Sequence, residues 1–516
     1  MISVTSLRPP GLALLLLLLT TCTATRPEPP APARYAPSWE SLAANERQPD
    51  WFRDAKLGIY FHWGVYSVPA FANEWYPRWM YVPDRGEEWG HEVYPHHRDT
   101  YGADFDYHEF IPDFTAEHFD PAGWAELFAA AGARFAGPVA QRHDGFAMWD
   151  SALNPWNAAD RGPRRDLAGE MLRAVRARGL KTIATFHHAK LLQRYARDTA
   201  EWVGNGPDPG HHSHYPYHPD LVTSTTDPEL RYLYGNIPEA EFHDYWLGQV
   251  AEVVDAYAPD AIWFDSWLFT IPEEYRRRMV AHHFNAATAR GQQPIVCYKN
   301  DQLPAHIGVL DIEQGGKKEL SPDYWLTDIT ISNNSWSYVE GQTYKDPALV
   351  IRNMIDVWSK RGVVLLNVSP TAQGIIPAAQ REVLGAIGDW IRKHEEAVYA
   401  TRAFTTFGYG PATIEDGHFG GQTATIAYGP EDLRFTRARD RNSVYVYALG
   451  QPAAGTELVI EQLLGGAAGA EITGVRLVGP DRSLKWRTEG DRLILQLPAA
   501  EYLDGIATVF RVDFGT

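Results

Sequence analysis

Cysteine is nearly absent: Cys22 and Cys297 are the only two in 516 residues. Cys22 falls in an N-terminal export segment, so the rest of the chain has no pair to oxidise, and Cys297 reads as a buried strand residue. No Lys/Arg run is longer than the three residues Arg276-Arg277-Arg278, and acidic residues outnumber basic ones by 65 to 47, for a formal net charge of -18. Both features argue against a nucleic-acid partner. No apolar run reaches the roughly 20 residues that a membrane-spanning helix needs. A Gly-rich phosphate loop, a nucleophilic serine in a strand-to-helix elbow and an internal repeat of about 20 to 50 residues are all missing. Nucleotide chemistry, serine hydrolysis and solenoid architectures therefore have no support.

The first 37 residues do have a pattern. Arg8 precedes an apolar run at 11–19, then Leu19-Thr20-Thr21-Cys22 and a Pro-rich tether at 26–37. This reads as an export signal. Its end resembles a bacterial lipoprotein box with Cys22 as the lipidated residue, although Thr21 stands where a smaller Gly, Ala or Ser is usual. The expectation is an exported chain of the periplasm or outer membrane, touching a membrane only through a lipid on Cys22.

Length alone points to two domains, since single cores stop growing at roughly 250 to 300 residues. Strand-length apolar runs occur at 57–62, 134–141, 181–187, 261–265, 294–298, 307–311, weakly at 328–331, and at 363–367. Helical periods at 120–131, 166–178, 239–257, 272–289, 347–360 and 377–397 separate most of them. That alternation predicts an α/β fold, a (β/α)8-type, TIM-like barrel, over 38–399. Beyond about residue 400 the helical period stops. Short alternating segments at 433–436, 443–448, 457–460, 475–478, 492–497 and 507–512 predict a C-terminal antiparallel β-sandwich over 400–516.

Chemistry is expected where a carboxylate ends a strand. Ala261-Ile262-Trp263-Phe264-Asp265-Ser266-Trp267 reads as a buried strand with Asp265 at its carboxyl end, the end where barrel enzymes build their sites. An acid there can also simply cap the next helix. Tryptophans on either side favour chemistry, because sugar rings stack on indole while carboxylates break glycosidic bonds. The 18 Trp and 26 Tyr, many in loop-like stretches such as Glu74-Trp75-Tyr76-Pro77-Arg78-Trp79-Met80-Tyr81, suggest a stacking surface as well as a core.

Other clusters also close expected strands. Gly58-Ile59-Tyr60-Phe61-His62-Trp63-Gly64 leads to Asn73-Glu74-Trp75-Tyr76, Arg142-His143-Asp144-Gly145-Phe146 leads to Trp156-Asn157, and Leu365-Leu366-Asn367-Val368-Ser369-Pro370 ends the last run. Together with Trp263-Phe264-Asp265, and in this order, they resemble the signatures of the family-29 glycoside hydrolases, the α-L-fucosidases, over most of residues 40–400. The resemblance implies a retaining exo-glycosidase acting on fucosylated oligosaccharides or glycoconjugates, with no metal and no cofactor. It makes Asp265 the nucleophile. Retention requires a second carboxyl about 5 to 5.5 Å away, which points to Glu313 as acid/base, with Glu319 as the alternative.

By the same resemblance His62, Glu74, Trp75, His143 and Trp263 match positions that contact the sugar. Three positions depart from the family pattern and join the candidate site: Arg142 replaces the first of two adjacent His, His187 stands in Phe186-His187-His188 where a Tyr-rich strand end is usual, and Lys299 takes the place of an Arg. They leave open a related sugar such as L-galactose, or a carbohydrate-binding surface protein without turnover. The cluster His211-His212-Ser213-His214 with His218 reads as a surface loop rather than a metal site. Oligomeric state is not legible in the sequence.

Overall fold

Strands of β-branched and aromatic residues, buried on both faces, pair side by side in parallel when helices cover the outside. The computed structural model describes Met1 and residues 34–515, apart from 84, 85, 88, 194–212, 415, 416, 419–425 and 467–470. Residues Tyr35–Thr516 form one compact unit. Eight parallel strands close into a barrel: β1 (Leu57–Phe61), β2 (Phe135–Gln141), β3 (Lys181–Phe186), β4 (Ala261–Phe264), β5 (Ile295–Lys299), β6 (Val309–Asp311), β7 (Trp325–Thr330) and β8 (Gly362–Val368), with β8 pairing back onto β1. These are the eight runs expected from the sequence, the weak seventh included.

The outer helices α1 (Pro121–Ala130), α2 (Leu167–Ala177), α3 (Glu239–Tyr257), α4 (Glu273–Ala289), α5 (Pro347–Ser359) and α6 (Ala378–Lys393) fall where the periodicity places them. Asp120, Asp166 and Asp346 cap α1, α2 and α5 by accepting a backbone N–H, the ordinary role of Asp at that position. Between β5 and β6, and between β6 and β7, no helix occurs among the described residues. The segment after β6 instead runs on against β7: Ile312 N donates to Leu326 O at 2.9 Å and Gln314 N to Asp328 O at 2.8 Å.

The barrel interior is apolar at mid-height, with Tyr60, Val139, Ile183, Trp263, Cys297, Val309, Leu326 and Leu365 in one buried cluster. Cys297 is a free, buried thiol there. Side chains on a strand repeat a face every second residue. Two positions beyond Tyr60, Trp263, Cys297, Leu326 and Leu365 lie His62, Asp265, Lys299, Asp328 and Asn367, so one inward parity brings all five to the same end of the barrel.

After the barrel, β9 (Thr401–Tyr409), β10 (Leu433–Ala438), β11 (Ser443–Ala448), β12 (Glu457–Ile460), β13 (Ile472–Leu477), β14 (Arg482–Ser483), β15 (Lys485–Glu489), β16 (Arg492–Gln496) and β17 (Thr508–Phe514) form two antiparallel sheets, in orders β9-β10-β11-β17-β13-β14 and β12-β16-β15. A shared core with Phe435, Val446, Leu477, Leu493, Leu495 and Phe510 lies between them, the β-sandwich expected. The alternation reading missed β9, whose pairing with β10 shifts register between Ala403 and Gly408, the two-residue β14, which is exposed, and β15, which is almost wholly exposed and shows no inward face.

A buried ion cluster joins the sandwich to the barrel. Asp356 on α5 accepts from Lys360 Nζ at 2.9 Å and from Arg434 Nε on β10 at 2.5 Å. No described helix is long and apolar enough to cross a membrane. The 1–37 leader, with its lipoprotein box, lies almost entirely outside the described residues, as do His211 and His212.

Candidate active site

A cleft at the carboxyl end of the barrel is lined by His62, Glu74, Trp75, Arg142, His143, His187, Asp265, Ser266, Trp267, Lys299, Glu313, Asp328 and Trp336. Nine of the ten residues singled out from the sequence thus meet in one pocket. The tenth, Trp263, is fully buried and packs beneath the lining, with its ring centre 5.1 Å from that of His187 and 4.9 Å from Lys299 Nζ.

Lys299 is the centre of the charge arrangement. Its buried ammonium lies 3.0 Å from Asp265 Oδ1, 2.7 Å from Glu313 Oε2 and 3.3 Å from Asp328 Oδ2. Burial disfavours charge on the amine, but Asp265, Asp328 and Glu313 outweigh it and hold the amine well above its ordinary range. Burial likewise opposes ionisation of Asp265. Lys299, His187 and His143 overcome it and hold that carboxyl well below the usual carboxylate range. Glu313 goes the other way: burial, reinforced by the negative charges of Asp328 and Asp265, pushes it up to about 7 despite Lys299. Two carboxyl groups on one cation are therefore split in acidity by their surroundings.

The backbone explains why Glu313 stays in place. Residues 312 and 314 on either side of it donate to β7, and Thr327 Oγ1 donates to Ile312 O at 2.7 Å and to Gly315 O at 3.1 Å. The cation paired with Glu313 is Lys299, from the neighbouring strand β5. Glu319 lies elsewhere, beside Lys318, Lys360, Phe407 and Arg434 at the junction with the sandwich.

Histidines line one wall. Asn367 Nδ2 donates to Thr330 Oγ1 at 3.1 Å and to Trp336 O at 2.7 Å, which turns its Oδ1 toward His62 Nδ1 at 2.9 Å. That nitrogen must donate, and burial lowers the imidazole to about 3. His62 is thus neutral and offers Nε2 as an acceptor. His143 Nδ1 lies 2.6 Å from His187 O, and its Nε2 lies 3.3 Å from Asp265 Oδ2. The tight turn after His143 needs Gly145, whose φ is +83° and where a Cβ would meet Leu233 O at 2.2 Å.

Arg142 Nη1 donates to Glu74 O at 2.7 Å, and its Nη2 lies 3.8 Å from Glu74 Oε1. Glu74 Oε2 accepts from Ser335 Oγ at 2.9 Å and Trp336 N at 3.1 Å. Arg142 therefore orients Glu74. Trp75 and Trp267 give the pocket apolar faces. Trp267 adopts a left-handed backbone (φ 82°), rare for a bulky residue, and its ring lies 3.3 Å from Lys190 Nζ. His214 packs 5.5 Å from both Trp75 and His143, ring to ring. Among the described residues no group of His, Cys, Asp and Glu has a metal-holding arrangement.

Sequence reading missed Asp328 and Trp336 as site residues, and noted Trp267 and Asn367 only within motifs. The two-residue parity running up from Leu326 would have found Asp328; nothing local marks Trp336, which arrives on a loop.

A parallel barrel with two carboxyl groups on one cation, tryptophan walls and buried polar side chains at its carboxyl end has the make-up of a glycoside hydrolase site. The family model described as Alpha-L-fucosidase matches residues 22–396, so the chain belongs to the α-L-fucosidase family. Tissue alpha-L-fucosidase of Rattus norvegicus is 32% identical over 391 residues, 72% of this chain and 74% of the relative. That of Homo sapiens is 30% identical over 487 residues, 90% and 88% of the two chains. The crystal structure of Thermotoga maritima alpha-fucosidase in complex with fucose matches with a TM-score of 0.70 at 30% identity, covering 93% of this chain and 100% of that one.

Proposed function

We propose that this chain is a retaining exo-α-L-fucosidase with Asp265 as nucleophile and Glu313 as acid/base. One observation carries the reading: Lys299 touches both carboxylates, at 3.0 and 2.7 Å. Their nearest oxygens are then no further apart than the sum of those contacts. That suits the roughly 5 to 5.5 Å of retaining enzymes and falls short of the roughly 6.5 to 9.5 Å at which inverting ones admit a water.

In the first step an Asp265 oxygen bonds to the anomeric carbon while the bond to the leaving oxygen breaks and takes the Glu313 proton. In the second, water attacks the same carbon, Glu313 removes its proton, and the Asp265 ester bond breaks, restoring both groups. The fucose complex of the Thermotoga maritima relative supports L-fucose as the sugar bound. The cleft, of ≈ 180 Å³, is small beside the roughly 300 to 1,000 Å³ of ordinary ligand pockets, in keeping with a single terminal sugar. His62, Glu74 and His143 would read its hydroxyls, with Trp75 and Trp267 as apolar walls.

The test is a pair of variants. Asp265→Gly abolishes turnover, and azide restores some activity as a fucosyl azide of inverted configuration. Glu313→Ala spares aryl fucosides with good leaving groups and loses natural substrates. Equal loss on both substrate types would place the acid elsewhere. L-Fucose raises the melting temperature and D-galactose raises it much less; equal shifts, or preferred turnover of an L-galactoside, would overturn the sugar assignment. For location we propose export and lipid anchoring at Cys22. Membrane association in a Gram-negative host, lost in Cys22→Ser, tests this; cleavage after Ala24 with release as a soluble periplasmic protein would refute it.

A further inference from the structure

Beneath Lys299 lies a hydrogen-bond account that does not close. Asp311 ends β6, in register with Lys299 on β5, and is 2% exposed. Neither of its carboxyl oxygens has a donor among the described residues. Asp328, on the neighbouring β7, is also 2% exposed. Its Oδ2 is served twice, by Tyr60 OH at 3.1 Å and by Lys299 Nζ at 3.3 Å, while its Oδ1 has no donor. Asp311 pairs in register with Leu326 on β7, which puts Asp328 two residues further along on the same face of the adjacent strand, where its carboxyl interacts with that of Asp311.

Buried carboxylate oxygens without donors are costly, and two charged carboxylates in contact are costlier still. A single proton removes both penalties. Placed on Asp311 it donates to Asp328 Oδ1, the one unserved atom of that residue, and makes Asp311 neutral. The charge count around it agrees. Asp311, Asp328, Asp265 and Glu313 surround one ammonium, and the other titratable groups facing the pair, Tyr60 and Cys297, are neutral acids whose own ionisation burial suppresses.

We propose that Asp311 and Asp328 share one proton, forming a buried acid pair that presents a single negative charge to Lys299 from below. The pair is a positioning device. Its one charge anchors the ammonium at the level where it meets Asp265 and Glu313, and raises the affinity of Glu313 for its proton. A pair with two charges would draw the ammonium down; a pair with none would leave it to the reacting carboxylates alone. Burial, with Asp328 adding to it, holds Asp311 well above the carboxylate range, in keeping with this assignment.

The kinetic arm of the test rests on the reading of Glu313 as the acid; the spectroscopic arm does not. In the full chain, the basic limb of kcat/KM against pH stays in place in Asp311→Asn, whatever the change in turnover, because the amide substitutes for a neutral acid and still donates to Asp328. The double variant Asp311→Asn/Asp328→Asn removes the charge and lowers that limb by roughly one unit or more. A limb that already falls in the single variant means that Asp311 was charged, and a limb that never moves means that the pair does not act on the site; either overturns the proposal. Independently of activity, the infrared spectrum of the wild-type protein above the basic limb should contain a protonated-carboxyl stretch that Asp311→Asn lacks. Its absence from the wild type, or its survival in the variant, would also overturn the proposal, even if the double variant does not fold.

Discussion

Burial sets Glu313 high and Lys299 holds Asp265 low, the split on which the proposed roles of the two carboxyls rest. Glu313 keeps its proton up to about 7, and Asp265, held low, keeps its charge through the weakly acidic range. On those proposed roles, activity should fall on the alkaline side as pH rises through about 7, where Glu313 loses its proton. On the acid side it falls only below the ordinary carboxylate range, where Asp265 gains one. The expected kcat/KM profile is a bell with a weakly acidic optimum, and a flat profile between mildly acid and neutral pH would count against a carboxylate pair. Lys299→Met removes the cation that lowers both groups, so both limbs move up. Rate should drop on the order of 10² to 10³-fold, as for other preorganised charges. Steady-state profiles of the two proteins on one activated fucoside check both statements.

At the scale of elements, the missing helices around β6 matter most. Because the segment after β6 runs on as a ragged extension against β7, Glu313 is held between backbone hydrogen bonds and not on a free loop. Thr327→Val deletes the hydroxyl that donates to Ile312 O and Gly315 O. A cost of about 1 to 2 kcal/mol in stability is expected from denaturant unfolding. Kinetically, the loss should be larger for poor leaving groups, which need the acid in position, than for activated ones. Equal losses would mean that the segment holds its place without Thr327. Asn367→Ala should raise KM more than it lowers kcat toward activated substrates, since it frees His62 and Trp336 without touching Asp265 or Glu313.

For the molecule as a whole, the barrel and the sandwich share apolar packing: Tyr445, Tyr447, Ala507 and Val509 belong to the same buried cluster as the barrel's outer layer. The Asp356–Lys360–Arg434 cluster crosses the same junction. Asp356→Ala strands two buried cations and should destabilise the protein by about 3 to 5 kcal/mol, read as a lowered melting temperature, while the limbs of the pH profile stay where they are. A small shift would mean that water reaches the junction. Removal of residues 400–516 should leave an insoluble barrel, because the outer face of α5 loses its cover.

The sequence by itself determined the order of the eight strands, the helices with their Asp caps, the change to alternating segments near residue 400, and the strand-end positions of Asp265, His62, His143 and Lys299. These are local facts, since apolar period, capping and parity act over a few residues. Only the tertiary structure decided which carboxylate faces Asp265. Glu313 and Glu319 are six positions apart on one irregular segment, and its pairing with β7 sends one into the pocket and the other to the sandwich junction. Closure of the barrel likewise brought Asp328 to Tyr60, Asn367 to His62 and Trp336 to Glu74, partners 268, 305 and 262 positions away in the chain, contacts that arise only when β8 meets β1. Charge coupling follows the same rule: the acidity of Glu313 depends on burial and on neighbours from three other strands, and no stretch of sequence contains them together.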